Sequence, residues 1–267
     1  MKKYFSFITA IIAAAMLTTV SAQTTQDGFA KVVRLKGAAR TMPDGKAVKI
    51  GQVLKPGAII QTAADSYVDL VLNNAKATQG LSSALSDDEP ATTVSANDTA
   101  SNYKPKVVQD AIRIFENTVI GVDKLTITKA GDETVTETQL DLKAGRIFGT
   151  VKKLSAESVY EIKVPNGVAG IRGTIYLIGA DGVVSVLSGA VVISYVSNGS
   201  VMTKEVPAGY QFNPTTGQVT PISNPLLRQL VRLAEIFSKY LPNLPGATFI
   251  YDNTIYNVSP VQTRTGH

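Results

Sequence analysis

The chain has 267 residues, 44% hydrophobic and 18% charged, with 26 basic against 21 acidic side chains and a formal charge of +5. That apolar content supports a packed core and excludes wholesale disorder, and the length suits one all-β or barrel domain or two smaller ones. There is no cysteine, and the single histidine is the last residue, His267, which excludes Cys/His zinc sites, thiol nucleophiles and Ser-His-Asp triads. The basic excess is small and scattered, unlike the dense patch of a nucleic-acid binder.

Residues 1–22 read as a secretory signal peptide. Lys2 and Lys3 make the positive start, Phe5 to Val20 is largely apolar, and Val20-Ser-Ala22 supplies small residues for cleavage. The apolar run is shorter than the ~20 residues that span a bilayer, so it predicts cleavage after Ala22 rather than an anchor. The mature chain is expected in the periplasm or secreted, reaching a membrane only through a partner.

Short β-type runs follow: Ala58–Thr62, Tyr67–Leu72, Leu125–Thr128, Gln139–Leu142, Arg146–Phe148, Val159–Val164, Thr174–Ile178, Val183–Leu187 and Ala190–Val196. Alternation puts Val68, Leu70 and Leu72 on one face and Asp69 on the other. Thr174–Ile178 and Ala190–Val196 are apolar on both faces, the pattern of buried central strands. Asn198-Gly199 signals a two-residue hairpin. An apolar residue, two others and a glycine recur in Leu54-Lys-Pro-Gly57, Leu142-Lys-Ala-Gly145, Val186-Leu-Ser-Gly189 and Val206-Pro-Ala-Gly209. Each is readable as a strand turning a glycine corner into the next, at intervals too irregular for a strict solenoid period.

Two segments break the β pattern. Residues 73–110 are rich in Ala, Ser, Thr, Asn and Asp and read as a flexible insertion. Leu72 before it and Ile112 after it are expected in neighbouring strands. Residues 223–241 hold a helix near Pro225–Leu241, with Asn224 as its cap and Pro225 in its first turn. Arg228, Arg232, Glu235 and Lys239 share a narrow polar arc, and so wide an apolar remainder calls for cover, expected from the β domain. Residues 242–267 form a tail.

No constellation carries catalysis. Gly167-Val-Ala-Gly170-Ile-Arg-Gly173 lacks the G-x-G-x-x-G spacing and leads into a strand, where a phosphate loop needs a helix amino terminus. Its charge, Arg172, either reaches solvent or pairs with a carboxylate. Asp87-Asp-Glu89 lacks the spaced ligands and glycine of a calcium loop. Glycosidase chemistry needs a carboxyl pair held about 5–10 Å apart, and the sequence singles out none. Tyr251 and Tyr256 could stack on sugars, but isolated tyrosines are more often partly buried. No catalytic, metal or cofactor residue is therefore assigned.

The combination of strands and glycines resembles the FecR domain family. It rests on Leu140-Asp-Leu-Lys-Ala-Gly-Arg-Ile-Phe148, then Tyr160-Glu-Ile-Lys-Val-Pro-Asn-Gly-Val-Ala-Gly-Ile-Arg-Gly-Thr-Ile-Tyr176, then Val184-Ser-Val-Leu-Ser-Gly-Ala-Val-Val192. Looser matches lie upstream, at Gly51–Thr62 and Ser66–Leu72. The resemblance implies an all-β, twisted solenoid- or sandwich-like domain over 23–222, with one C-terminal amphipathic helix. It implies no cofactor, and structural roles for Gly145, Pro165, Gly170, Arg172, Gly173, Thr174 and Gly189. It also implies a non-enzymatic protein that binds a protein or envelope component. The alternatives are a periplasmic sensor working with a separate anti-sigma or transporter partner and, least, a glycan-active enzyme. The best-known members carry a helical cytoplasmic segment and a membrane helix ahead of the domain, whereas here four residues precede the apolar run.

Overall fold

The computed structural model describes residues 24–72, 110–130 and 133–240; the signal peptide, most of the insertion, the tail and both of its tyrosines lie outside them. Among the described residues eighteen strands form two sheets of nine, and one helix packs on the second sheet. The first sheet contains β1 (Thr24–Asp27), β3 (Ala39–Met42), β5 (Ile59–Thr62), β8 (Val119–Ala130), β9 (Glu133–Ala144), β11 (Val159–Val164), β12 (Gly167–Ile171), β15 (Ala190–Ser197) and β16 (Ser200–Pro207). The second contains β2 (Ala30–Lys36), β4 (Val53–Leu54), β6 (Tyr67–Leu72), β7 (Ala111–Ile114), β10 (Arg146–Thr150), β13 (Ile175–Gly179), β14 (Val184–Ser188), β17 (Tyr210–Asn213) and β18 (Gln218–Pro221). The fold is all-β, as expected, with a sandwich built by a chain that winds repeatedly from one sheet to the other.

The recurring apolar-x-x-glycine motif marks that winding. Gly57, Gly145, Gly189 and Gly209 each lie where the chain leaves one sheet for the other, and each has a positive φ, between 78° and 91°. The apolar member that precedes each one, Leu54, Leu142, Val186 or Val206, is buried in the core. The corner needs glycine because an L side chain rarely adopts that backbone conformation. At Gly189 a Cβ would also fall 2.4 Å from the Gly173 carbonyl oxygen. The repeat is thus one structural operation performed at uneven intervals, set by strand lengths and insertions.

The inner faces meet over one core. Val68, Leu70 and Leu72 of β6 face Ile120, Leu140, Ile162 and Ile193 from the opposite sheet's set, all essentially unexposed. Leu70 pairs with Ile112 across β6 and β7, so the flanks of the insertion do lie in neighbouring strands. Asp110, the last residue read as part of that insertion, is buried; its carbonyl accepts the Leu72 N–H at 2.8 Å, and its carboxylate accepts the Lys152 N–H at 2.9 Å.

Helix α1 (Asn224–Tyr240) follows β18 and covers the outer face of the second sheet. Leu227, Leu230, Val231, Leu233, Ala234 and Phe237 pack on Val33, Val71, Ala111, Phe148, Ile175 and Leu187, while Arg228 and Arg232 stay exposed. The first helical bond runs from the Leu227 N–H to the Ser223 carbonyl at 2.9 Å, so the cap falls at Ser223 and not at Asn224. Among the described residues no helix is long and apolar enough to cross a membrane.

Ala190–Val196 departs from its expected burial. Val191, Ile193 and Tyr195 enter the core, but Val192 and Val196 are 46% and 57% exposed. The alternation that should have revealed a solvent face is filled with valines because β15 lies in the sheet that α1 does not cover.

Candidate functional site

The seven signature residues occupy the far end of this winding. Gly145 joins β9 to β10, with a φ of +78°, and a Cβ there would lie 2.2 Å from Thr118 Oγ1. Gly173, Thr174 and Gly189 meet at one corner. The Thr174 hydroxyl donates to the Ala190 carbonyl at 2.9 Å, and its backbone exchanges hydrogen bonds with Val151 at 2.9 and 3.1 Å. Pro165 sits in the exposed two-residue turn between β11 and β12, and Gly170 lies on the outer face of β12 opposite Val192. Arg172 is exposed, with no salt bridge among the described residues. Gly145, Gly173, Thr174 and Gly189 shape corners, and none of the seven lines either groove described below.

Two buried polar groups escaped the sequence reading. Beneath α1, Arg113 donates to both Asp69 oxygens at 2.7 and 2.8 Å. Its guanidinium lies 4.2 Å from the Tyr67 ring centre and 5.6 Å from that of Phe237. Arg34 adds a 3.1 Å bond to the Tyr67 hydroxyl and approaches Asp69 at 4.0 Å. The signal lay in single charges inside apolar strands, Tyr-Val-Asp-Leu and Ala-Ile-Arg-Ile, whose alternation places both on the helix-covered face. Inside the sandwich, the buried Tyr160 and Tyr176 hydroxyls lie 3.3 Å apart. Burial holds both phenols protonated by pushing their pKa values up, and pushes the Asp110 carboxyl up to about 6 against the pull of Lys152. These groups are closed off from substrate-sized space. Among the described residues no three His, Cys, Asp or Glu side chains gather as a metal site.

Two surface grooves lie among the described residues. One of about 300 Å³ is lined by Ala38, Arg40, Ala47 and Gln61. The other, of about 170 Å³, lies between Asn166, Asp181, Tyr195 and Thr215. Neither brings an acid and a base together with a pocket around them.

The feature with the chemistry of a binding surface is the outer face of the first sheet. At its centre, on β8, β9 and β11, Lys124 pairs with Glu137 at 2.7 Å, Lys163 with Asp123 at 3.0 Å and Lys143 with Asp141 at 2.5 Å. Toward the β16 edge the charges give way to Val168, Val192, Val196 and Val201, exposed by 36, 46, 57 and 74%. Cross-strand register brings Val196 opposite Val201, with Val168 opposite Ser194 in the adjoining row. The valines are interleaved with Ser194, Thr203 and Glu205 on that face, a mixed apolar and polar surface of the kind that partners cover.

Residues 108–192 match the family model described as FecR protein. No curated protein matches the chain. Two crystal structures of a candidate anti-sigma factor from Parabacteroides distasonis are similar to it at 16% identity, each with a TM-score of 0.31 over 45% of this chain. The chain spans about half of their length, 55 and 56%.

Proposed function

Since residues 108–192 match the FecR protein family, we propose that this is an exported, non-catalytic binding protein of envelope signalling, whose outer first-sheet face receives a protein partner. The carrying observation is that the matched segment runs from β7 into β15 and so supplies Val168 and Val192 of the uncovered face. Two further facts support the reading. The other outer face is already occupied by α1, and the titratable groups inside the fold serve buried networks.

The partner implied by the family is an envelope protein that passes a signal inward, with sigma-factor control lying in that second protein. Export would follow from the amino-terminal segment, with Gln23 as the first mature residue. The test is a photo-crosslinking amino acid at Val192 or Val196 in the native host, with exposed Arg228 of α1 as the control position. The reading expects one envelope protein cross-linked from both sheet positions and not from the helix. It also expects altered transcription when that pair is broken. Equal labelling from all three positions would overturn it, as would recovery of the protein with Met1 retained in the cytoplasm.

A further inference from the structure

We infer that β16 is a dimerisation strand: two copies of this chain pair their β16 edges antiparallel about a two-fold axis, with Thr203 opposite Thr203 of the second copy. Among the described residues β16 is the first sheet's edge strand, hydrogen-bonded in the ladder to β15 alone, and it is eight residues long. The remaining edges are shorter or engaged. β4 has two residues and β18 has four, ending at Pro221. β3 is crossed by its own following loop through Thr41 N–H to Lys46 O and Val48 N–H to Ala39 O.

The pairing pattern of β16 follows from its turn. Asn198 and Gly199 have φ values of 51° and 77°, a two-residue hairpin closed by Ser197 and Ser200. Such a closing pair is hydrogen-bonded, and the ladder then alternates without a bulge. Met202, Lys204 and Val206 therefore bond to β15, whereas Val201, Thr203 and Glu205 turn their N–H and C=O groups outward. Pro207 falls in the outward set, where its missing N–H costs the ladder nothing. The free template thus runs from Val201 to Glu205 and stops at the proline.

A template of that length selects its occupant by register. Setting Thr203 against Thr203 of a second copy places Val201 against Glu205, and Glu205 against Val201, so all three outward residues exchange both hydrogen bonds. Moving the register by two residues either way leaves part of the set unpaired or opposite Pro207. The side chains agree: threonine meets threonine, a favourable cross-strand pair, and Met202 meets Lys204, so no like charges lie directly opposite. The edge is self-complementary, and the dimer would join two valine faces into one continuous sheet surface. A one-sided edge strand with Val201 74% and Met202 44% exposed is otherwise an open template for uncontrolled association.

The chain contains no cysteine, so one introduced thiol reports the register cleanly. Thr203→Cys should cross-link under mild oxidation, because hydrogen-bonded antiparallel partners sit about 5.5 Å apart at Cα, within disulfide reach. Val201→Cys should not, since its own copy lies about four residues, roughly 13 Å, away along the strand. The purified protein should elute at twice the chain mass by light scattering. Thr203→Pro, which removes an outward N–H and no hydrogen bond to β15, should elute as a folded monomer that still unfolds cooperatively. A wild-type protein that stays monomeric at high concentration would overturn the inference. So would a dimer untouched by Thr203→Pro, or cross-linking that favours Val201→Cys.

Discussion

Asp110 offers the sharpest test of how the sandwich treats a buried charge. Its carboxyl lies inside the fold near the Tyr160 and Tyr176 hydroxyls, holds the Lys152 N–H at 2.9 Å, and is pushed from 3.8 to about 6 by burial. A folded-state pKa raised above the unfolded one means that the native protein binds the extra proton. Stability is therefore highest below the unfolded value, near pH 4, and declines as pH rises toward 6, after which the penalty is constant. At about 1.4 kcal/mol per pH unit, the ionised carboxylate costs the fold about 3 kcal/mol at neutral pH. Asn in its place accepts the same Lys152 N–H without the charge. Asp110→Asn should thus gain about 1–3 kcal/mol at pH 7, and the gain should shrink to near zero by pH 4. Urea unfolding of both proteins across this range gives the difference curve directly. A variant less stable than the wild type at pH 7, or a difference that does not change with pH, would show that the carboxylate is stabilised as an anion.

The buried pair beneath α1 should be intolerant of half-removal: Asp69→Asn leaves the Arg113 guanidinium under-compensated in an apolar layer and should cost about 3–5 kcal/mol in denaturant unfolding. Phe237→Ala removes the ring that meets Phe148 edge-on at 5.2 Å and should cost about 3–5 kcal/mol, unless the helix resettles over the gap, in which case the loss will be smaller. Gly173→Val should cost roughly 1–3 kcal/mol, because φ is +71° and the Lys153 Cα lies 3.2 Å from the new Cβ. Arg172→Ala, at an exposed position, should stay within about 0.5 kcal/mol, and the reverse order in matched melts would reveal an ion pair at Arg172.

The parts of this fold readable from sequence are those governed by local chemistry. Tyr67–Leu72 and Val159–Val164 stand as β6 and β11 with the expected ends, because alternation and flanking turn residues act within a few positions. Asn198-Gly199 gives its hairpin for the same reason. Leu54-Lys-Pro-Gly57 and its repeats also announced corners, since positive φ selects glycine wherever the corner falls. Partnership between distant strands was not readable. The parallel pairing of β9 with β11 joins strands on either side of β10, and nothing in their own alternation names that neighbour.

The same limit explains why the exposed valine face was hidden. A valine is equally consistent with a core position and with a surface awaiting cover, so Val192 and Val196 read as buried until the layer outside them was known. Asp69, set by alternation on the face opposite Val68, Leu70 and Leu72, and its partner Arg113 lie beneath a helix some 110 residues or more further along the chain. Which sheet α1 covers is a tertiary fact. It turns the outer face of the second sheet into a second core and leaves the valines on the outer face of the first sheet exposed, where the proposed partner would sit.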